Sequence, residues 1–312
     1  MKYAYHPKVT IVIPVYNGEL YMKYAIDSAL KQTYDNLEVL VINDGSKDRT
    51  DQIAKEYGDR IRYISKENGG VSTVLNMAIR EMHGEWLSWL SHDDVYLPEK
   101  VESQVRRLNE LIFSGVAETE IGKYVLSCQS QRIDEQGNLL PRGTKHHPVF
   151  QDKYDLISQE ICNYSIGGCT VLASRTAYQA VGGFDEANRT ISDTDMWFKL
   201  MLKGYHFDFC DVPYVQSRYH KGMVSIVRNT LVEQERERFY TGTIEKIHPY
   251  LTNQQRFHIA VAMTKAGLNE AADTALKPEE RTVKQKIEIK QAVLRRAVRN
   301  VLRTVYRKIR WR

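Results

Sequence analysis

The 312-residue chain has only four cysteines, Cys128, Cys162, Cys169 and Cys210, and no two of them form a CxxC pair. This spacing excludes a zinc ribbon or a disulfide framework and leaves reduced thiols. No apolar run approaches the roughly 18 to 20 residues needed to span a bilayer. The opening MKYAYHPKVT lacks the apolar stretch of a secretory signal, so a cytoplasmic protein is the expectation. No GxGxxG follows the first apolar run and no GxxxxGK[ST] occurs anywhere, which argues against a dinucleotide-type Rossmann site and a P-loop. Repeats and low-complexity segments are missing too. With 42% hydrophobic and 27% charged residues, the chain is neither fibrous nor disordered.

Charge is unevenly spread. Lys284 to Arg312 holds eleven Lys or Arg and one acid, Glu288, a net of +10, so the remaining residues carry −5 against a total of +5. A mildly acidic body with a basic tail is the first functional clue.

The body alternates strand and helix patterns. Val9–Val15, Leu37–Ile42, Ile61–Ile64 and Trp86–Leu90 read as buried strands. Helical stretches over Leu20–Lys31, Asp48–Tyr57 and Val71–Met82 separate them, which predicts βαβ units and a parallel sheet. Beyond Pro98 the spacing predicts a helix over Glu99–Phe113, a strand over Tyr124–Ile133 and a loop over Pro141–Asp155. A strand over Cys169–Ala173, helices over Arg175–Val181 and Thr194–Leu202, and a short strand over His206–Cys210 follow. From Leu231 onward only helical periodicity remains.

Three strands end in polar clusters: Pro14-Val15-Tyr16-Asn17-Gly18, Asn43-Asp44-Gly45-Ser46 and Ser91-His92-Asp93-Asp94. Open parallel sheets bind ligands beyond the carboxyl ends of their strands. One Asp-Gly is ordinarily a turn, and a lone Asp-Asp is ordinarily a helix cap; three such ends point to a shared site. Asp93 and Asp94 would repel a diphosphate unless a hard divalent cation, Mg²⁺ or Mn²⁺, stood between them.

Together these segments resemble the family 2 glycosyltransferases, whose fold is GT-A: an α/β, Rossmann-like, mostly parallel central sheet flanked by helices. The resemblance covers roughly Val9 to Ser225 and is carried first by VTIVIPVYNGELYMKYAIDSALKQTYDNLEVLVINDGSKDRT. It implies that Pro14, Tyr16 and Asn17 line a nucleotide pocket, that Asp44 bonds base or ribose, and that Asn68, Gly70 and Asn76 belong to the donor site. SHDD followed by Pro98 is similar to the family's DxDD-x-x-x-P motif, which makes Asp93 the metal ligand and places Asp94 at the donor, with Ser91 replacing an acid. Gly182-Gly183-Phe184-Asp185-Glu186 and Ser192-Asp193-Thr194-Asp195-Met196-Trp197 look like the pair GGFDE…EDxDLW. Asp193 then falls on the catalytic base, Ser192 on a glutamate, and Asp195 on structure. Arg218-Tyr219-His220 and Ser225 resemble the closing YRxH…S segment, with His220 as a second metal ligand or a donor to the diphosphate. His146 and His147 remain loop residues.

The resemblance implies an inverting transferase that uses Mn²⁺ or Mg²⁺ and a nucleotide-sugar donor, UDP-linked in many relatives. Its acceptor would be a glycan or a lipid-linked glycan, touched by 141–155 and 166–169. A nucleotide-sugar-binding protein without catalysis, or a membrane scaffold for glycan enzymes, is the alternative. The expected organisation is a catalytic domain over 1–228, with a nucleotide half at about 8–98 and an acceptor half at about 99–228, then a helical extension over 229–312. In that extension Leu294, Val298, Val301, Val305 and Ile309 recur at helical spacing beside basic residues, with Trp311 near the end. Such a helix suits the inner face of an anionic membrane or docks its stripe on the body or a second subunit. Nucleic acid is not expected, since no reader fold accompanies the charge.

Overall fold

The computed structural model describes residues 4–141, 150–163, 166–223 and 229–310. The chain forms two compact units, Met1–His147 with Ser165–Val227, and Pro148–Tyr164 with Arg228–Arg312. His146, His147, Ser225 and Trp311 lie outside the described residues.

The first unit opens with β1 (Val9–Val15), α1 (Met22–Leu30), β2 (Leu37–Asp44), α2 (Thr50–Lys55), β3 (Arg62–Lys66), α3 (Val71–Glu81) and β4 (Trp86–Trp89). These elements follow the apolar runs of the sequence. Every residue of the β-branched β1 is buried, as a strand covered on both faces requires. Next come β5 (Val95–Tyr96), α4 (Lys100–Phe113) and β6 (Tyr124–Ile133); α5 (Lys153–Asn163) belongs to the second unit. The first unit then closes with β7 (Val171–Ser174), α6 (Arg175–Ala180), α7 (Ser192–Lys203) and β8 (His206–Arg218).

The strand order is β3-β2-β1-β4-β7-β6-β8-β5. β1 pairs parallel with β2 and β4, β2 with β3, and β6 with β8, whereas β7 runs antiparallel to β4 and β6, and β5 antiparallel to β8. The carboxyl ends of β1, β2 and β4 therefore share one edge, which assembles the three polar clusters.

β5 is absent from the sequence reading, and three further elements depart from it. Gly168–Thr170 is a tight 3₁₀ turn, so strand β7 begins only at Val171. β8 extends to Arg218, because a register shift against β6 around Gln129 absorbs Pro213, which has no N–H for the ladder. α5 occupies a stretch whose mixed polarity carries little periodicity. In the second unit α8 (Asn229–Ile247), α9 (Asn253–Ala266), α10 (Asn269–Ala275) and α11 (Val283–Arg310) complete the chain. Thr252 and Gln255 form a reciprocal capping box at the start of α9.

Candidate active site

Asp44 ends β2 with its side chain buried. Its Oδ1 accepts from Lys66 Nζ at 2.6 Å and from Gly69 N at 2.9 Å, and its Oδ2 from Gly70 N at 2.8 Å and Asn68 Nδ2 at 3.2 Å. Four donors match the four lone-pair sites of a carboxylate. The carboxylate thus shapes the 66–70 loop; Gly70 meets it with a φ of 91°, a conformation open to glycine at little cost. Beside it, the N–H of Asn17 donates to Ser46 Oγ, and Asn17 Oδ1 accepts from the N–H of Lys47, both at 2.9 Å. These bonds pin the end of β1 to the end of β2. Pro14 is buried inside β1, and Tyr16 is exposed beyond it.

Asn76, on α3, faces elsewhere. Its Nδ2 donates to Phe184 O and Glu186 Oε1, each at 2.9 Å, and its Oδ1 accepts from Phe184 N at 2.8 Å. Every polar atom of this side chain thus secures the Gly183–Glu186 turn.

Asp93 and His220 come together from β4's end and the segment after β8. Asp93 Oδ2 and His220 Nε2 are 2.9 Å apart, with side chains 17% and 13% exposed. Burial alone would raise the Asp93 carboxyl, but the His220 hydrogen bond and the nearby imidazoles of His92 and His220 hold it below its ordinary range. Arg218 locks this corner. Its N–H donates to Asp94 Oδ1 at 2.9 Å, Nε to Asp93 O at 3.1 Å, and Nη1 to the carbonyls of Asp134 and Glu135 at 3.1 and 3.0 Å. The guanidinium also lies 5.0 Å from the ring centres of Tyr21 and Tyr24.

Asp94 behaves oppositely. Burial, then the charge of Asp93, push its pKa up to about 8, so it is largely neutral near pH 7. Its Oδ2 lies 3.2 Å from Cys169 Sγ, which in turn meets Ser91 Oγ at 3.3 Å. Where the resemblance expects an acid, Ser91 therefore joins a compact, uncharged cluster.

Asp193 sits in the first turn of α7. Its Oδ2 accepts from Gly168 N at 3.2 Å and its Oδ1 from Thr194 N at 2.8 Å, and burial raises its carboxyl above the ordinary range. Together with Ser91, Asp94, Trp89, Ser130 and Ser217 it lines a cavity of about 190 Å³. Ser192 is 2% exposed and paired with Ser72 Oγ at 2.8 Å, so the hydroxyl couples α7 to α3. Asp195 pairs with Lys199 one turn along the helix at 2.6 Å, away from the cavity.

Sequence reasoning missed one buried clamp close to this cavity. Lys100 is fully buried, and its ammonium donates to Ser88 Oγ, Tyr96 Oη and Val171 O, tying β4, β5 and β7 together. Burial lowers its pKa to about 8. Gly168, inside the expected 166–169 segment, has no room for a side chain, since a Cβ there would lie 2.7 Å from the Trp89 ring. Only the side-chain-free loop can pass this close and still aim its N–H at Asp193. Of the expected acceptor segments, Gly167, Gly168 and Cys169 line the cavity, whereas Gln151, Asp152 and Asp155 line a separate cleft of about 1080 Å³ in the second unit.

The profile described as Glycosyl transferase family 2 matches residues 10–161. A Rickettsia prowazekii protein named an uncharacterized glycosyltransferase is 38% identical over 282 residues, covering 87% of this chain and 85% of its own. The chain belongs to glycosyl transferase family 2. Solved structures below 20% identity share its fold. Staphylococcus aureus TarS 1–349 in complex with UDP-GlcNAc is 17% identical with a TM-score of 0.58, over 95% of this chain and 92% of that one. The mannosyltransferase PcManGT of Pyrobaculum calidifontis, in complex with GDP-Man and Mn²⁺, is 16% identical with a TM-score of 0.57, over 96% and 88%. The fold of this glycosyltransferase is GT-A, as the motifs implied.

Proposed function

We propose that this glycosyltransferase is inverting and metal-dependent, and moves a sugar from a UDP-linked donor to a hydroxyl of a glycan or lipid-linked acceptor in cell-surface polysaccharide assembly. The observation that carries this reading is the half-buried Asp193 carboxylate at the cavity it shares with Ser91 and Asp94, the latter adjoining the Asp93–His220 pair. In the reaction, the acceptor oxygen bonds to the anomeric carbon while the bond from that carbon to the diphosphate oxygen breaks. Asp193 takes the acceptor proton, and burial, which raises its affinity for protons, favours that task. The N–H groups of Gly168 and Thr194 hold the carboxylate in place. Neutral Asp94 adds no negative charge beside the diphosphate.

One carboxylate oxygen and one imidazole nitrogen, 2.9 Å apart and shielded from solvent, are a donor set that fits Mn²⁺, whereas Mg²⁺ would draw on the carboxylate oxygen alone. No third His, Cys, Asp or Glu joins them among the described residues, so donor phosphates and water would complete the shell. Asp93 and His220 would hold such an ion, which would supply Lewis-acid neutralisation of the departing diphosphate. Pro14, Tyr16, Asn17, Asp44, Asn68 and Gly70 form the nucleotide side of the reading, with Asp44 and Asn76 acting through the loops they hold.

Calorimetric titration with UDP, dTDP and GDP, each with and without Mn²⁺, tests the donor assignment. Binding of UDP that requires metal and is lost in Asp93→Ala supports it. Binding of another nucleotide, or metal-independent binding, overturns the corresponding part.

A further inference from the structure

Helix α11 buries one face and leaves an apolar face bare. Ile289 and Ala292 are buried in the second unit, where α11 packs on α9, with Gln285, Glu288 and Arg296 half-buried on the same side. Val283, Ile287, Leu294 and Val298 are instead 76%, 51%, 66% and 52% exposed. At 3.6 residues per turn these four fall within an arc of about 60°, on the side away from Ala292. Within the second unit it is a different face, not this stripe, that packs. The sequence carries the stripe's register on through Val301, Val305 and Ile309, the length of a 28-residue helix of roughly 42 Å.

The flanks decide what covers the stripe. Lys284 and Arg295 border it on one side, and Lys286 and Lys290 on the other, all exposed. A second copy of the helix would set these cations against their equivalents, with the one acid, Glu288, half-buried on the packed face. An anionic surface matches both stripe and flanks. No described helix is long and apolar enough to cross a membrane. We infer that α11 lies in the plane of an anionic leaflet, with Ile287, Leu294 and Val298 entering the acyl boundary and the flanking Lys and Arg on the headgroups. This inference is independent of the catalytic roles given to Asp93, Asp193 and His220.

Flotation of the full-length protein with vesicles tests it. Vesicles of phosphatidylglycerol and phosphatidylcholine in equal parts should carry the protein, those of phosphatidylcholine alone should not, and added salt should weaken binding. Leu294→Glu with Val298→Glu should lower partitioning on the order of tenfold or more. Circular dichroism and transfer to a soluble acceptor should stay unchanged, since both positions are exposed. Lys290→Glu with Arg295→Glu should lower binding to the anionic vesicles as well. Failure to float with anionic vesicles, equal binding to both compositions, or indifference to the double substitutions overturns the inference. A lipid-free dimer that Leu294→Glu dissociates assigns the stripe to a second copy and overturns it as well.

Discussion

Ser72 Oγ and Ser192 Oγ, 120 positions apart in the chain, lie 2.8 Å from each other, and both also donate or share bonds at the carbonyl of Asn188. This buried contact holds α3, which follows the nucleotide-side loop, against α7, which carries Asp193. Ser192→Ala should cost about 1 kcal/mol, and the Ser72→Ala/Ser192→Ala double variant less than the sum of the two. A thermal or urea double-mutant cycle measures the coupling, and strict additivity would refute it. Ser192→Glu, which restores the acid implied by the resemblance, should be more damaging, because it buries a charge beside the Ser72 hydroxyl and the Asn188 carbonyl.

Asp193→Asn keeps the size of the side chain and removes the proposed base, at the cost of setting its amide nitrogen against the N–H of Gly168 or Thr194. Turnover should fall by roughly 10² to 10⁴, while donor affinity by calorimetry stays unchanged. In the parent enzyme the rate should decline as pH falls through the raised pKa of Asp193, because the protonated carboxyl cannot accept. A variant that keeps its turnover would remove Asp193 from the mechanism.

Asp94 should leave a signature in stability. Its folded pKa of about 8 lies above the 3.8 of a free aspartate, so between these values the folded state holds a proton that the unfolded chain releases. The stability contributed by that proton is fully present at low pH and declines as pH rises toward 8. Asp94→Asn, which mimics the neutral acid, should flatten the dependence of Tm between about pH 5 and pH 8. Parallel profiles for the two proteins would contradict a neutral Asp94.

Gly168→Ala should act at a distance from its own chemistry. The added methyl meets the Trp89 ring at 2.7 Å, which forces the turn, and with it the N–H on Asp193, to move. A loss of about 1 to 3 kcal/mol of stability is expected. The accompanying fall should be in kcat and not in donor affinity.

Asp44→Asn places an amide nitrogen where the carboxylate now receives Lys66, Gly69, Gly70 and Asn68. At least one donor then faces another donor, so a destabilisation of about 1 to 3 kcal/mol is expected, with weaker nucleotide binding through a loosened 66–70 loop. Unchanged melting would show that the loop does not depend on this charge.

Much of this molecule is written in local sequence. The runs VTIVIPV and LEVLVI could form little other than buried strands, and β1 and β2 begin where those runs begin. Asp44, Asp93 and Asp193 stood out because carboxylates at strand and helix ends carry a recognisable motif order. Asn76 stood in the same motif order, yet its amide is spent on the Phe184 and Glu186 turn, a partner more than a hundred residues away. Lys100 gave no signal at all. On α4 it reads as an ordinary surface lysine, and only the closing of β4, β5 and β7 around it makes it a buried clamp.

The sequence alone determined the family, the parallel core and the acids, because strand burial and motif spacing are properties of neighbouring residues. Tertiary structure decided protonation and exposure. Asp93 and Asp94 are adjacent and chemically identical, yet one is held charged by His220 and the other is kept neutral by burial. The same holds for α11, where periodicity defined an apolar stripe but only packing against α9 selected which face is covered. Desolvation and contact depend on what the fold brings within a few ångströms, and that information is not local in the chain.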